Sequence, residues 1–302
     1  MTVATADRGL LMGLAYRLLG SVQEAEDAVQ EAYTRWYALP DRRRAEIGSP
    51  TGWFVTVVSR ICLDVLGSAR ARRERYVGQW LPEPVPDSAR WTSQTVHDSA
   101  ADPAERVSLD ESISMALLVV LESMTPAERV AFILHDVFAY TFPEIGEIVG
   151  RSPQACRQLA SSARRRVRER GHDRVPPEEH AHIVAAFRSA WESGDLTALV
   201  ELLDPDATGV TDGGGAVSAA VNPIEGAERI AQFLLGVRRR QPDLAVRTAV
   251  VNGQAGLVAR DAAGRTLAVV SVDVVRGLVR RVWAMRNPAK LTTWPPERPG
   301  QA

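Results

Sequence analysis

Between Thr141 and Arg170 the chain encodes two helices joined by a tight turn, and no other stretch restricts its fold so closely. Thr141, with Glu144 three residues on, forms a capping box, in which each side chain satisfies an orphan backbone N–H. Phe142, Ile145, Ile148 and Val149 give that helix a buried stripe. Gly150-Arg151 make the turn, and Ser152-Pro153 restart the chain as N-cap and first helical residue, where the missing N–H of proline costs nothing. At about 100° per residue, Cys156, Leu159, Ala160, Ala163 and Val167 fall in one sector, so Gln154, Arg157, Gln158, Ser161, Arg165 and Arg168 face outward. Arginine and glutamine can make bidentate bonds to base edges in the major groove, while the arginines after Ala163 (Arg164, Arg165 and Arg168) suit phosphates. An isolated helix with an arginine-rich side is as easily a solvated surface. Two capped helices around a glycine-containing turn favour a helix-turn-helix DNA reader.

A chain of 302 residues suggests two or three domains. A formal charge of −1 argues against a DNA binder until the charge is located. Arg42 to Arg75 carry eight arginines against three acids, and Arg151 to Arg174 eight against two. The intervening Tyr76 to Gly150 holds three arginines and twelve acids, so two basic patches flank an acidic connector and suit two contacts on one nucleic acid. Cys62 and Cys156 both fall on helix faces that read as buried, which supports neither a disulfide framework nor a thiolate metal site. Asp7, Arg8 and Arg17 interrupt the apolar N-terminal run, and no stretch reaches the length of a membrane span. The expectation is a cytoplasmic protein with no membrane partner, no metal and no cofactor.

Leu10, Leu11, Leu14, Ala15, Leu18 and Leu19 mark a first helix ending at Gly20. Ser21 and Glu24 form a capping box for a second, lined by Ala25, Ala28, Val29, Ala32 and Trp36, with Glu24, Asp27, Gln30, Glu31 and Thr34 opposite. Periodicity alone makes that polar side a solvated surface. A loop with Arg42, Arg43 and Arg44 leads to Ser49-Pro50 and a third helix, with Trp53, Val57, Val58, Ile61, Cys62 and Val65 inside, running out into Arg70, Arg72, Arg73 and Arg75.

In order, the segments Ala15–Ser21, Ala25–Glu31, Ser49-Pro50 through Trp53 to Asp64, and the Ser152-Pro153 helix resemble bacterial RNA polymerase sigma factors of the extracytoplasmic-function (ECF) type. The resemblance covers about the first 170 residues. It implies that the first block is region two, a helical bundle, whose acidic helix docks on core RNA polymerase through Asp27, Gln30 and Glu31. It also implies that Arg42, Arg43, Arg44, Trp53 and Arg60 engage the melted promoter element, where stacking and cationic tracking suit single strands. Trp53 fits a core position equally well. The second block is implied to be region four, the helix-turn-helix that reads upstream promoter DNA.

The connector Tyr76–Val85 is rich in proline and aromatic residues and resembles the linker of the SigJ-like group of these factors, with Gln79 where that group has proline. Such segments favour extended polyproline-type backbone with outward aromatics. Pro86 to Pro103 reads as loop. Beyond Arg174 come helices at Ala181–Ser193 and Leu196–Leu203, a strand at Ala207–Thr211, the glycine loop Asp212–Gly215, and a helix from Gly226 to Arg240. Period-two strands follow around Leu244–Val250, Leu257–Ala259, Leu267–Asp273 and Val279–Trp283, with a turn at Ala262–Gly264. Helices on a curved antiparallel sheet imply an α+β cone, and the order resembles SnoaL-like domains of the nuclear-transport-factor-two-like superfamily. The group's two short motifs are matched at Asp212–Gly215 and Asn287–Leu291, with Ala216 and Ala289 in place of a lysine and an acidic residue.

The domain boundaries expected are region two at 1–75, linker at 76–104, region four at 105–174 and the SnoaL-like domain at 178–291. Some superfamily members are enzymes using Asp or His inside the cone, for which the candidates here are Asp212, Asp273, His180 and His182. Two histidines two residues apart on a helix point about 200° from each other and cannot share a site, so no catalytic activity is expected. The reading is a sigma factor that binds core RNA polymerase and promoter DNA and is regulated in cis by its C-terminal domain. Trp80, Leu81, Pro82, Asp212, Gly213, Gly214, Asn287, Pro288 and Lys290 would form the regulatory contact. The alternatives are a ligand-responsive DNA-binding repressor with the cone as small-molecule sensor, and an enzyme tethered to DNA; the cone also leaves room for an unidentified small ligand.

Overall fold

The computed structural model describes residues 7–73, 76–87, 91, 113–171 and 175–297. Arg75, Arg174 and nearly all of the expected 86–103 loop lie outside the described residues, as do the side chains of Arg70, Arg72 and Arg73. The chain divides into two compact units, one of residues 1–74, 91–113 and 117–170, the other of 75–90, 114–116 and 171–302. The connector from Tyr76 onward thus belongs with the C-terminal unit.

The first unit is helical: α1 (Arg8–Leu19), α2 (Val22–Ala38), α3 (Asp41–Glu46), α4 (Pro50–Arg73), α5 (Met115–Glu122), α6 (Pro126–Phe132), α7 (Phe142–Val149) and α8 (Pro153–Gly171), with a π-turn at Ile133–Val137 after α6. Every residue of α1 from Leu10 to Leu19 is buried, as expected of a helix apolar on all sides. Gly20 closes it in the left-handed conformation at φ 69°. Arg17 is carried into the interior, where its Nη1 donates to the Gly13 carbonyl at 2.8 Å. Ser21 Oγ accepts the Glu24 N–H at 3.3 Å, starting α2 where the sequence placed it. One expectation is corrected: Arg42, Arg43 and Arg44 stand on the short helix α3 rather than in a loop, with Glu46 pairing Arg42 and Arg43 one turn away and Asp41 pairing Arg44.

Arg129 of α6 is a structural cation inside this unit. Its Nη1 donates to the Leu18 carbonyl at 2.8 Å and to Glu122 at 2.7 Å, and its Nη2 to the Leu121 carbonyl at 2.6 Å. A positive charge at the C-terminal ends of α1 and α5 is stabilised by both helix dipoles, while burial draws its pKa down to about 9.

The second unit contains α9 (Pro177–Ser193), α10 (Leu196–Leu202), α11 (Ala227–Arg240) and a six-stranded sheet. Its strands are β1 (Leu203–Asp212), β2 (Ile224–Glu225), β3 (Ala245–Val251), β4 (Gln254–Arg260), β5 (Thr266–Val275) and β6 (Leu278–Met285). The spatial order is β2-β1-β6-β5-β4-β3. β1 runs parallel to β6 and all other pairs are antiparallel. Phe187, Trp191, Leu199, Ile230, Leu257, Val270 and Val282 pack in one core between helices and sheet. The parallel β1–β6 pairing puts the ends of both strands side by side: the N–H groups of Arg286 and Asn287 both donate to the Asp212 carbonyl, at 2.7 and 2.9 Å.

Candidate functional site

The helix-turn-helix forms at α7 and α8. Glu144 accepts the Thr141 N–H at 2.8 Å, Ser152 Oγ accepts the Ala155 N–H at 3.2 Å, and Gly150 turns the chain at φ 70°. A second glycine sets the close approach of the two helices, because a Cβ on Gly146 would lie 2.7 Å from the Arg151 carbonyl oxygen. Gln154, Arg157, Gln158, Ser161, Arg165 and Arg168 are all exposed on α8, and Cys156, Ala160 and Ala163 are buried beneath them. Arg157 lies over the Phe142 ring, its guanidinium carbon 5.3 Å from the centroid.

Arg164, expected with Arg165 and Arg168 as a phosphate contact, differs from them. Its Nε donates to Asp136 Oδ1 at 2.6 Å with the side chain 19% exposed, so it holds α8 to the segment after α6 instead of facing outward. The 100° increment carries position 164 toward the buried Ala160 and Ala163, and Asp136 supplies the charge that holds it there. Arg166, not singled out from the sequence, donates to the Ser123 carbonyl at 2.8 Å.

On α2, Asp27, Gln30 and Glu31 are exposed along one side, opposite the buried Ala25, Ala28, Val29 and Ala32. Glu31 pairs with Arg35 at 2.9 Å. Trp53 is half-buried in an aromatic cluster with Trp36 and Phe54, at ring separations of 5.0 and 5.2 Å. Arg60 donates through Nη2 to the Glu147 carbonyl at 2.8 Å, tying α4 to α7.

A second site lies wholly within the C-terminal unit, where residues 76–86 form a strap over the ends of β1 and β6. Its centre is the fully buried Asp212. Oδ1 accepts the Tyr76 hydroxyl at 2.6 Å and the Gly214 N–H at 3.0 Å; Oδ2 accepts the Leu81 N–H at 3.0 Å and Lys290 Nζ at 2.8 Å. Lys290 also donates to the Leu81 carbonyl at 2.7 Å, and its ammonium stands 4.2 Å from the Trp80 ring centroid and 4.9 Å from that of Tyr76. The carboxylate thus has four donors, and the ammonium has a carboxylate, a carbonyl and two aromatic faces. Asn287 donates to the Tyr76 oxygen at 2.8 Å and caps the 3-10 turn Pro288–Lys290. Burial, followed by the Asp212 carboxylate, pushes the Tyr76 phenol well above its ordinary pKa. A Cβ on Gly214, whose φ is +61°, would collide with the Asn287 amide, which fixes glycine there.

A second fastening, not foreseen in the sequence, holds the other end of the strap. Val85 donates to Asn252 Oδ1 at 3.1 Å and accepts the Asn252 N–H at 2.8 Å, and Trp294 Nε1 donates to the Pro84 carbonyl at 2.8 Å. Asn252-Gly253, both at positive φ, form the β3–β4 hairpin turn, an Asn-Gly signal legible as a turn but not as a clamp. The outward presentation expected of the linker is corrected: Leu81 to Val85 are buried and Trp80 half-buried, because the cone supplies both apolar cover and polar partners.

Asp273 pairs with Arg281 at 3.1 Å, buried His180 meets the Val272 carbonyl at 3.2 Å, and His182 is exposed. None of these three, nor Asp212, lines the cavity of the cone. Among the described residues no cluster of three or more His, Cys, Asp or Glu is placed to hold a metal, and no helix is long and apolar enough to cross a membrane.

The helical unit carries the marks of a transcription initiation factor: residues 4–73 match the model of sigma-70 region 2, and 114–167 that of sigma-70, region 4. The ECF RNA polymerase sigma factor SigJ of Mycobacterium tuberculosis is 40% identical over 296 residues, covering 94% of this chain and 91% of the relative. The probable ECF RNA polymerase sigma factor SigI of the same organism is 35% identical over 288 residues, covering 95% and 92%. The crystal structure of the SigJ factor superposes with a TM-score of 0.72 at 35% identity, covering 96% of this chain and 97% of that one. The chain belongs to the ECF RNA polymerase sigma factor family, with two helical sigma domains followed by a sheet-containing domain.

Proposed function

We propose that this sigma factor docks on core RNA polymerase through Asp27, Gln30 and Glu31 of α2, reads upstream promoter DNA with α8, and is regulated by its own C-terminal domain through the strap. In this reading Arg157 and Gln158 contact base edges and Arg165 and Arg168 contact phosphates, which their exposure on α8 supports. Arg42, Arg43, Arg44, Trp53 and Arg60 serve the melted element, with Arg60 released from Glu147 when they do so.

The observation that carries the regulatory part is the clasp on residues 76–86. The strap follows region two in the sequence, so the clasp acts on chain covalently continuous with that region. Attachment in one polypeptide gives an effective concentration on the order of mM, so the clasp needs little affinity to stay closed. The ligand-responsive repressor has no support in the comparisons, whereas family membership supports polymerase docking.

Reconstitution with core RNA polymerase and promoter DNA tests the reading. Full-length protein should start transcription at specific sites, and Lys290→Met should change the amount of transcript while leaving the start site in place. A chain that neither joins the polymerase nor directs a start refutes the assignment; an unchanged transcript level for Lys290→Met refutes the regulatory role of the clasp.

A further inference from the structure

The sheet and α11, with Trp191 of α9, line a cavity of about 60 Å³ that is partly open. Phe233, Leu267, Val270 and Ala284 are among its lining, and nearly all the exposed wall is carbon. A single water needs roughly 10–15 Å³ and two to four polar partners, so the space is ample for water while the wall denies it bonds; such cavities favour hydrocarbon.

Arg286 breaks that apolar wall. It follows β6, lines the cavity and is half-buried, and its guanidinium donates to the Ser218 carbonyl. No carboxylate pairs with it among the described residues. The charge acting on it is that of Arg240, which has the same sign, and burial together with that repulsion lowers its pKa. Arg240, exposed at the end of α11, also forms no ion pair among the described residues. Its neighbour Arg238 donates to the carbonyls of Pro242 and Leu244 and so has a structural use of its own. A half-buried cation with a second cation beside it and an apolar cavity behind it lacks an anion.

We propose that the cone binds a small carboxylate with a hydrocarbon tail, the tail in the cavity and the head group on Arg286. Arg286 recognises the carboxylate by charge-assisted hydrogen bonds, and Arg240 strengthens the local field. The position matters because the Arg286 N–H donates to the Asp212 carbonyl, so the head group acts one peptide away from the clasp. Only this coupling rests on the regulatory reading above; the binding site stands without it.

Sodium hexanoate and 1-hexanol, titrated calorimetrically into the full chain, test the site without polymerase or promoter. Hexanoate should saturate and bind at least tenfold more tightly than hexanol. Arg286→Met should erase that preference, and Ala284→Leu, by filling the cavity, should remove binding of both. Ala259→Leu fills the same space from β4 and decides the question if Ala284→Leu does not fold. Failure of hexanoate to saturate, equal affinity for acid and alcohol, or undiminished binding in the filled variant overturns the proposal. Hexanoate affinity should also differ at least threefold between wild type and Lys290→Met, since linkage is reciprocal; equal affinities overturn the coupling alone.

Discussion

Replacing Lys290 by Met tests the clasp most directly, because the unbranched stem is kept to within one atom while the charge and donors are lost. At 2.8 Å, a unit-charge pair in an effective dielectric of about 20 attracts by roughly 6 kcal/mol before desolvation. The net cost of removing one partner of such a buried pair is about 3–5 kcal/mol, since the remaining charge stays buried. Asp212 keeps three donors, from Tyr76, Leu81 and Gly214, which places the expected loss near the lower figure. The opening of the strap can be read at Leu81, whose N–H donates to Asp212 Oδ2. Native-state hydrogen exchange followed by mass spectrometry should show its protection falling about 100-fold or more, as roughly 3 kcal/mol requires. Adding Asp212→Asn to Lys290→Met should recover part of the loss, because the unpaired charge is then gone. Unchanged protection at Leu81 in the single variant, or losses that simply add in the double variant, would refute the claim that the ion pair holds the strap.

Raising pH should open the strap through Tyr76. Its folded pKa lies above the ordinary phenol value, so its contribution is complete below about pH 10 and is lost as pH rises toward the folded value; the protection of Leu81 relative to the base-catalysed exchange of an open amide should fall there, and Tyr76→Phe should remove that alkaline loss. On α8, Arg157→Ala should cost about 1–3 kcal/mol at one base-pair position, whereas Arg165→Ala should weaken all promoters alike and flatten the salt dependence; equal losses for Arg157→Ala across every promoter variant would make it a phosphate contact. Alanine at Asp27, Gln30 and Glu31 together should abolish co-elution with core polymerase without shifting the thermal transition, because all three are exposed.

Local chemistry made much of the fold legible. The α8 N-cap, the αL glycines at 20 and 150 and the period-two strands from Leu244 onward are each specified within a few residues, and they form where their patterns put them. The outward face of α8 followed from angular arithmetic, except at Arg164, which sits at the margin of the buried sector and is claimed by an acid 28 residues away. The α3 helix was obscured by three consecutive arginines that read as a loop until Asp41 and Glu46 are recognised as their one-turn partners. The pair Thr125–Glu128 carries the same capping-box signal as Thr141–Glu144, and it starts α6 with both reciprocal bonds.

The clasp divides differently. Asp212, Asn287 and Lys290 were identifiable only through the resemblance, since their bonding joins positions 78 and 209 residues apart. Asn252 and Trp294 carried no sign of their role. They grip main-chain groups of Pro84 and Val85, and a contact to the backbone imposes no residue type on the partner that a sequence could display.

Lys290 is the sole lysine in 302 residues. Apart from the α-amine, an amine-selective reagent aimed at this polypeptide therefore has a single destination, and that ammonium is shut between two rings and a carboxylate. Incorporation of an amine-specific tag at this position becomes a stopwatch for how often the closed form lets go, with no engineered probe and no other side-chain amine to compete.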